Sequence, residues 1–453
     1  MEAKTIFALI VFIITYGLMF SLQRLRPIVS AAAAVLFVFV GSIGLFPGFH
    51  YTWRDALREI DWNVIMMIVG TMGTVFLFIE SKMPNLLSDL IVEHTHSVKW
   101  MVVCMSLFAG IISAFVDNVA TVLMVAPVAL AICKKLNISP VPSIICISIS
   151  SNLQGAATLV GDTTSILLGK AANLDFMDFF FVEGRPGMFW VTEAGALAAT
   201  MIIYWMFRED NARIDIHDRT KVEDKIPAIL LLATVVSLIL ASFIPYKSNA
   251  APGQFYKPDI TNGLICMFFF LVAMAHQAEQ DRHLDKVMQA MKEIDYHTVT
   301  LLAGLFVVIG GIEQAGVIDL VGSTLARLSG SGSRISVFIV YTVIVWMSVL
   351  LSAFIDNIPY TATMLPVVAV ITERLSAAGG LQIHPNLLYF GLLVGATLGG
   401  NLTPIGASAN ITGLGILYHR GYEVKAPEFM RYSIPFTLSA VLVGYALIWI
   451  LWM

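Results

Sequence analysis

Three aspartates, Asp117, Asp162 and Asp356, lie inside long apolar segments and have no Lys or Arg close by in the sequence. An ionised carboxylate at the centre of a bilayer costs at least ~2.5 kcal/mol, so acids inside a membrane point to function. We interpret these three as groups that alternately hold a proton and a cation. The structural alternative is a protonated carboxyl that bonds to unwound helix backbone.

Neutral side chains with oxygen atoms follow two of these acids. Asn118 and Asn357 come directly after them, and Thr121 and Thr361 lie one helical turn further on. Such oxygens beside exposed backbone carbonyls suit Na⁺. The threonines fit helix-to-helix hydrogen bonding equally well, so the asparagines are the stronger candidates. The possible Na⁺ ligands are Asp117, Asn118 and Asp162 in one group and Asp356, Asn357 and Asn410 in the other.

Two motifs rich in glycine and small polar residues interrupt later apolar segments, at residues 151–165 and 399–410. These residue types let a helix unwind, which exposes N–H groups and the ends of half-helices to a substrate. Packing of small residues would explain the glycines but not the polar side chains. The candidate site residues in these motifs are Asn152, Thr158, Gly161, Asp162, Asn401, Thr403, Gly406, Ser408 and Asn410.

Composition determines the class of protein that must position these residues. Of 453 residues, 58% are hydrophobic and only 13% are charged, whereas a soluble domain has roughly a quarter charged. Glycines and prolines within apolar stretches favour an all-α integral membrane protein with interrupted helices over a β-barrel. A net charge of −4 indicates no nucleic-acid partner. The expected partners are the lipid bilayer and a small inorganic ion or metalloid substrate.

Enzymatic motifs were sought in the sequence. It contains no nucleotide-binding P-loop, no H-E-x-x-H zinc motif and no G-x-S-x-G elbow. We therefore expect a secondary transporter and not an enzyme, with no cofactor and no resident metal, coupled to H⁺ and/or Na⁺. Glu193 lies well inside an apolar segment and is either a proton-relay residue or the partner of a polar group on a neighbouring helix.

The apolar segments form two sets of six in the same order, and short stretches recur between the sets with slowly increasing offsets. This pattern indicates an internal duplication. The recurring stretches are residues 59–62 and 293–296, 113–118 and 352–357, and 158–161 and 403–406.

Two segments, about 100 to 133 and 335 to 372, are too long for one crossing and carry Asp-Asn at their middle. We interpret both as re-entrant hairpins, which leaves about five crossings in each half and inverts the second half relative to the first. The predicted repeats are residues 1–207 and 226–453, joined by a cytoplasmic linker at 208–225. The distribution of Lys and Arg predicts a multi-pass protein of the inner cell membrane with both termini outside.

These motifs resemble the ion transporter superfamily, in the group of ArsB-type arsenite permeases, NhaD-type sodium/proton antiporters and the P protein. The hairpins of the last two branches carry Asp-Asn, and residues 399–410 are similar to the second break of the P protein. The resemblance implies a homodimer that works as an elevator, with two coupling-ion sites. The first implied site is Asp117, Asn118, Thr158, Gly161 and Asp162, and the second is Asp356, Asn357, Thr403, Gly406 and Asn410.

Three functions stay open at this point. Proton-linked antiport or efflux of a small ion or metalloid, as in arsenite or antimonite permeases, needs only hydrogen bonds to an uncharged hydroxide. A Na⁺(Li⁺)/H⁺ antiporter fits three acids with no cationic residue in either motif. Na⁺- or H⁺-coupled transport of a small anion such as citrate requires cations that neutralise those acids. A channel would lack the coupling itself.

Overall fold

The computed structural model describes residues 2–22, 25–213, 220–222, 224–246, 254–280, 285–318, 320, 333–377 and 383–453. The helices of the first half are α1 (Ala3–Ser21), α2 (Arg26–Ser42), α3 (Trp53–Glu59), α4 (Trp62–Glu80), α5 (Met83–Glu93), α6 (Val98–Ser113), α7 (Asn118–Lys135), α8 (Val141–Gln154), α9 (Thr163–Ala171) and α10 (Met188–Met206). Two-residue strands, β1 (Phe181–Val182) and β2 (Arg185–Pro186), pair antiparallel before α10.

The second half follows the same order. Its helices are α11 (Ile226–Ser242), α12 (Thr261–Gln280), α13 (Asp285–Lys292), α14 (Tyr296–Gln314), α15 (Arg334–Ser352), α16 (Asn357–Ala377), α17 (Asn386–Gly399), α18 (Ser408–His419) and α19 (Ala426–Trp452). Short 3₁₀ helices follow α8 and α17, at Gly155–Ala157 and Gly400–Leu402.

Long apolar helices dominate the fold. Eight helices of the described chain are long and apolar enough to cross a membrane, namely α1, α4, α7, α10, α12, α14, α15 and α19. The prediction of a multi-pass helical membrane protein is therefore confirmed. The short helices α3, α5 and α13 were not predicted, because at seven to eleven residues they are too short to be told from the connections between the longer apolar runs.

Aspartates begin several of these helices. The side chains of Asp61 and Asp295 accept the N–H groups of Val64 and Thr298, each at 3.0 Å. Such N-caps satisfy one of the free amides at a helix start. The recurring Glu-Ile-Asp motif thus marks the first turns of α4 and α14.

The breaks lie at the centre of the bundle. Residues 114–117 separate α6 from α7, and residues 353–356 separate α15 from α16. We call these turns hairpin tip 1 and hairpin tip 2. Helix α6 packs on α8, and α15 packs on α17. Every residue of α17 is buried, and so is every residue of α8 except the half-buried Pro142, so the residues at their broken ends are enclosed by protein.

Close backbone contact explains why α17 has glycine at Gly395. A Cβ at this position would lie 2.5 Å from the carbonyl oxygen of Val345 and 2.6 Å from Cβ of Ser348. Both atoms belong to α15, so a methyl group would force the two helices apart.

We predict that Gly395→Ala lowers the free energy of unfolding by about 1–3 kcal/mol, the usual range for overpacking a core. The measurement is thermal stability of the purified protein in detergent. Gly415→Ala on α18 is the control, because nothing lies within 4 Å of its Cβ position. Equal melting temperatures for the two variants would contradict the prediction.

Candidate functional site

A cavity lies where the hairpin tips, the broken helices and the long helix α4 meet. Six predicted residues line it, which are Asp117, Asn118, Asn152, Asp162, Asn357 and Ser408. Four polar residues that were not predicted as site residues also line it, which are Thr163, Glu293, Asp295 and Thr298. Helix α4 contributes an apolar wall. The cavity thus combines residues from both halves of the chain.

Hairpin tip 1 holds its acid by capping a helix. Asp117 Oδ1 accepts the N–H groups of Val119 at 3.0 Å and Ala120 at 3.2 Å, at the start of α7. The next residue, Asn118, accepts the Ser113 hydroxyl at 2.7 Å and donates to Asn152 Oδ1 at 3.2 Å. The backbone of α7 therefore orients the Asp117 carboxylate, which lines the cavity.

The two broken helices are joined by a buried amide pair. Asn152 Nδ2 donates to Asn401 Oδ1 at 3.0 Å and to the carbonyl of Thr397 at 2.8 Å. Asn401 Nδ2 donates in return to the carbonyl of Ile149 at 2.8 Å. Both asparagines are at most 1% exposed. Their role in this structure is to hold the halves together, although Asn152 also reaches the cavity wall.

Asp162 lies between the halves. Its Oδ2 accepts the Thr164 hydroxyl at 2.6 Å and Asn357 Nδ2, of hairpin tip 2, at 3.3 Å. The Thr164 hydroxyl in turn lies 3.0 Å from that of Thr397. The resemblance assigns Asp162 to the first ion site alone, whereas here it also contacts a residue of the second.

Asp356 has a cationic partner. Arg26 Nη1, at the first residue of α2, lies 3.1 Å from Asp356 Oδ2, and the two side chains are 11% and 8% exposed. The Ser408 hydroxyl donates to the same oxygen at 3.3 Å. The sequence around Asp356 contains no Lys or Arg, and its cationic partner comes from a distant helix. The two residues are 330 positions apart, so the sequence pattern does not predict this ion pair.

A cradle of carbonyl oxygens surrounds Gly161. A Cβ there would lie 2.6–2.8 Å from the oxygens of Gly155, Ser113 and Ala114. The Thr158 hydroxyl donates to the Ala114 carbonyl and so holds the break against hairpin tip 1. Carbonyl oxygens of unwound helices are the ligands that coordinate Na⁺ in transporters. We call this cluster cradle 1.

The second half contains the same arrangement at Gly406. A Cβ there would lie 2.6 Å from the oxygen of Gly400, 2.8 Å from that of Ala353 and 2.9 Å from that of Ser352. The Thr403 hydroxyl donates to the Ala353 carbonyl, as Thr158 does to Ala114. We call this cluster cradle 2. The donor chemistry of both cradles fits a small hard cation.

Asn410 supports cradle 2 from the next helix. Its Nδ2 donates to the carbonyls of Gly400 at 3.1 Å and Thr403 at 3.2 Å. Its Oδ1 is buried and, like the hydroxyl of Thr361, has no hydrogen-bond partner among the described residues. Buried oxygens of this kind are expected to find a ligand.

Two further acids line the cavity, and a third, Glu193, contacts a neighbouring helix. Glu293 and Asp295 precede α14 and line the cavity. In the sequence they are part of the recurring Glu-Ile-Asp motif, but that motif does not indicate a role at the site. Glu193 accepts Gln154 Nε2 at 2.9 Å, which supports its interpretation as a partner of a neighbouring helix.

Comparison with known proteins gives consistent matches. The chain matches the CitMHS family, described as citrate transporter, over residues 7–395. It is 28% identical over 458 residues to an uncharacterized transporter of Mycobacterium tuberculosis, with 98% of both chains covered. It is 27% identical to the human P protein over 85% of this chain and 53% of that protein. These findings confirm the resemblance inferred from the motifs.

The fold has solved counterparts. The crystal structure of the Alcanivorax borkumensis YdaH transporter aligns with a TM-score of 0.60, at 15% sequence identity, and covers 94% of this chain and 98% of that one. Identity at this level relates the folds alone. The broken-helix bundle is thus a known transporter architecture.

We predict that Asn152→Leu, which keeps the size of the side chain, destabilises the protein by about 1–3 kcal/mol. The physical reason is that Asn401 Oδ1 and the Thr397 carbonyl would stay buried without a donor. Thermal unfolding in detergent measures the change. Asn211→Leu, at an exposed linker position, is the control, and a normal melting temperature for Asn152→Leu would refute the prediction.

Proposed function

Since the chain belongs to the CitMHS citrate transporter family of the ion transporter superfamily, we propose that this membrane transporter couples Na⁺ to protons at the acid-lined cavity. One observation carries the proposal. The cavity is lined by four acids, Asp117, Asp162, Glu293 and Asp295, and by no Lys or Arg among the described residues. A cleft with charges of one sign attracts counter-ions, here cations.

The coupling follows from competition for the same carboxylates. Na⁺ would bind at cradle 1, where three carbonyl oxygens converge beside Asp117 and Asn118. A negative charge on Asp117 or Asp162 favours the bound cation, and a proton on either acid removes that charge. Binding of Na⁺ therefore expels a proton, and protonation releases Na⁺. Exchange of Na⁺ or Li⁺ for H⁺ is the function that this geometry supports best.

Transport of citrate is the second candidate, and the family description favours it. Helices α9 and α18 begin at Thr163 and Ser408, which both line the cavity. The positive ends of helix dipoles stabilise carboxylates. Because four acids surround the same space, citrate would have to enter with neutralising cations. Arsenite and antimonite stay a prediction, since no residue in the cavity distinguishes them.

We extend the proposal to the architecture. The paired cradles and the two Asp-capped hairpin tips support inverted repeats at 1–207 and 226–453 with re-entrant hairpins. Their concentration at one place supports an elevator in which the hairpins and broken helices move together. A homodimer, a position in the inner membrane and termini outside complete the proposal.

We predict that Asp117→Asn reduces Na⁺-driven proton movement by roughly tenfold or more, since a loss of 1.4 kcal/mol in ion binding is a factor of ten. The assay uses purified protein in liposomes with an internal pH dye and an imposed proton gradient. Na⁺, Li⁺, K⁺, citrate, arsenite and antimonite are added in turn. Asp285→Asn, at an exposed position on α13, is the matched control.

Each outcome of this assay selects a function. Proton movement evoked by Na⁺ or Li⁺ alone supports the exchanger. Movement that requires citrate together with a cation supports the second candidate, and a response to metalloids alone supports arsenite efflux. Wild-type rates in Asp117→Asn would refute the role of the cavity acids.

Gly161→Ala tests cradle 1 directly. The added methyl group would lie within 2.8 Å of three carbonyl oxygens and would push them out of the arrangement assigned to Na⁺. We expect the Na⁺ concentration for half-maximal rate to rise by roughly tenfold or more in Gly161→Ala. The same concentration should be unchanged in the control variant Gly415→Ala. An unaltered Na⁺ dependence in folded Gly161→Ala would exclude this site.

A further inference from the structure

We propose that Arg26 is a built-in counter-ion that replaces a coupling cation at hairpin tip 2, so that each chain binds one Na⁺ and not two. The inference rests on the proposed function, because it concerns the number of cations that the Na⁺-coupled site takes. It starts from a difference in charge between two otherwise similar halves.

The similarity covers backbone and side chains alike. Asp117 and Asp356 each accept an N–H two residues further on, that of Val119 at 3.0 Å and that of Ile358 at 3.1 Å. Each acid precedes an asparagine and lies next to a turn that supplies carbonyls to a cradle. By geometry alone, both carboxylates would therefore need a cation to neutralise them.

The partners of the two acids differ. Arg26, at the start of α2, pairs with Asp356. Helix α12 packs on α4 as α2 packs on α14, so α12 is the counterpart of α2 in the second half. It begins with Thr261, a neutral residue whose hydroxyl donates to the carbonyl of Pro258 in the preceding loop. Among the described residues Asp117 forms no ion pair, and Asp295 in the same cavity adds negative charge. The cation for Asp117 must come from solution.

Arg26 is held in place and permanently charged. Its Nε donates to the carbonyl of Met19 at 3.2 Å while Nη1 contacts Asp356. The guanidinium places its positive charge directly against the Asp356 carboxylate. Because the pair is nearly buried, Na⁺ placed beside it would meet the repulsion of a like charge with little screening.

The test is equilibrium binding of ²²Na⁺ to purified protein in detergent. We expect about one Na⁺ per chain in the wild type and about two in Arg26→Gln, where Asp356 regains the need for a cation. The double variant Arg26→Gln/Asp356→Asn removes both charges and is expected to return to about one. Arg58→Gln, which alters an exposed arginine on α3, controls for the loss of an arginine as such.

The outcomes separate the two proposals. Two Na⁺ per wild-type chain overturns the role of Arg26, whether or not the variants fold. One Na⁺ in both the wild type and a monodisperse Arg26→Gln overturns it as well, while the Na⁺-coupled function stands. Absence of Na⁺ binding to the wild type refutes the coupled function and the inference with it.

Discussion

Inside an apolar bundle, the backbone groups of an unwound helix and charged side chains must find their partners within the protein. The contacts at the centre of this structure follow from that constraint. Each break frees backbone groups, and a nearby side chain bonds to one of them. Thr158 and Thr403 donate to carbonyls of the hairpin tips, and Asn152 and Asn401 donate to carbonyls across the two halves. Three carbonyl oxygens converge on Gly161 and three on Gly406, and some of them are the same carbonyls that accept these bonds. Candidate ion sites are thus a consequence of how the breaks are stabilised.

Charge distinguishes two halves that share a backbone pattern. The carboxylate of Asp356 is neutralised within the protein by Arg26, whereas Asp117 faces a cavity that contains further acids. A cavity of this sign suits cations, and it admits an anion such as citrate only together with them. The family description and the electrostatics of the site are compatible if citrate is carried in neutralised form. In the proposed function, one half therefore recruits cations from solution and the other carries its own.

Much of the fold was predictable from the sequence. Apolar runs predicted a bundle of long membrane-crossing helices, because a helix that crosses a membrane must be apolar over most of its length. The motifs at 113–118 and 399–410 identified the hairpin tips and breaks. Short helices such as α3 and α13 escaped prediction because tertiary packing, and not their own periodicity, stabilises them. The cavity residues Glu293 and Asp295 were visible only as parts of a recurring motif.

The sequence by itself determined the class of the protein, the order of its segments and the residues that interrupt them, since hydropathy and helix-breaking residues act locally along the chain. Tertiary structure alone decided which of those residues meet. The contact of Arg26 with Asp356 and that of Asp162 with Asn357 join residues far apart in the chain. No local pattern encodes such pairs, because they depend on how the helices pack. The charge balance of the site, and with it the number of cations that we propose it binds, therefore follows from packing.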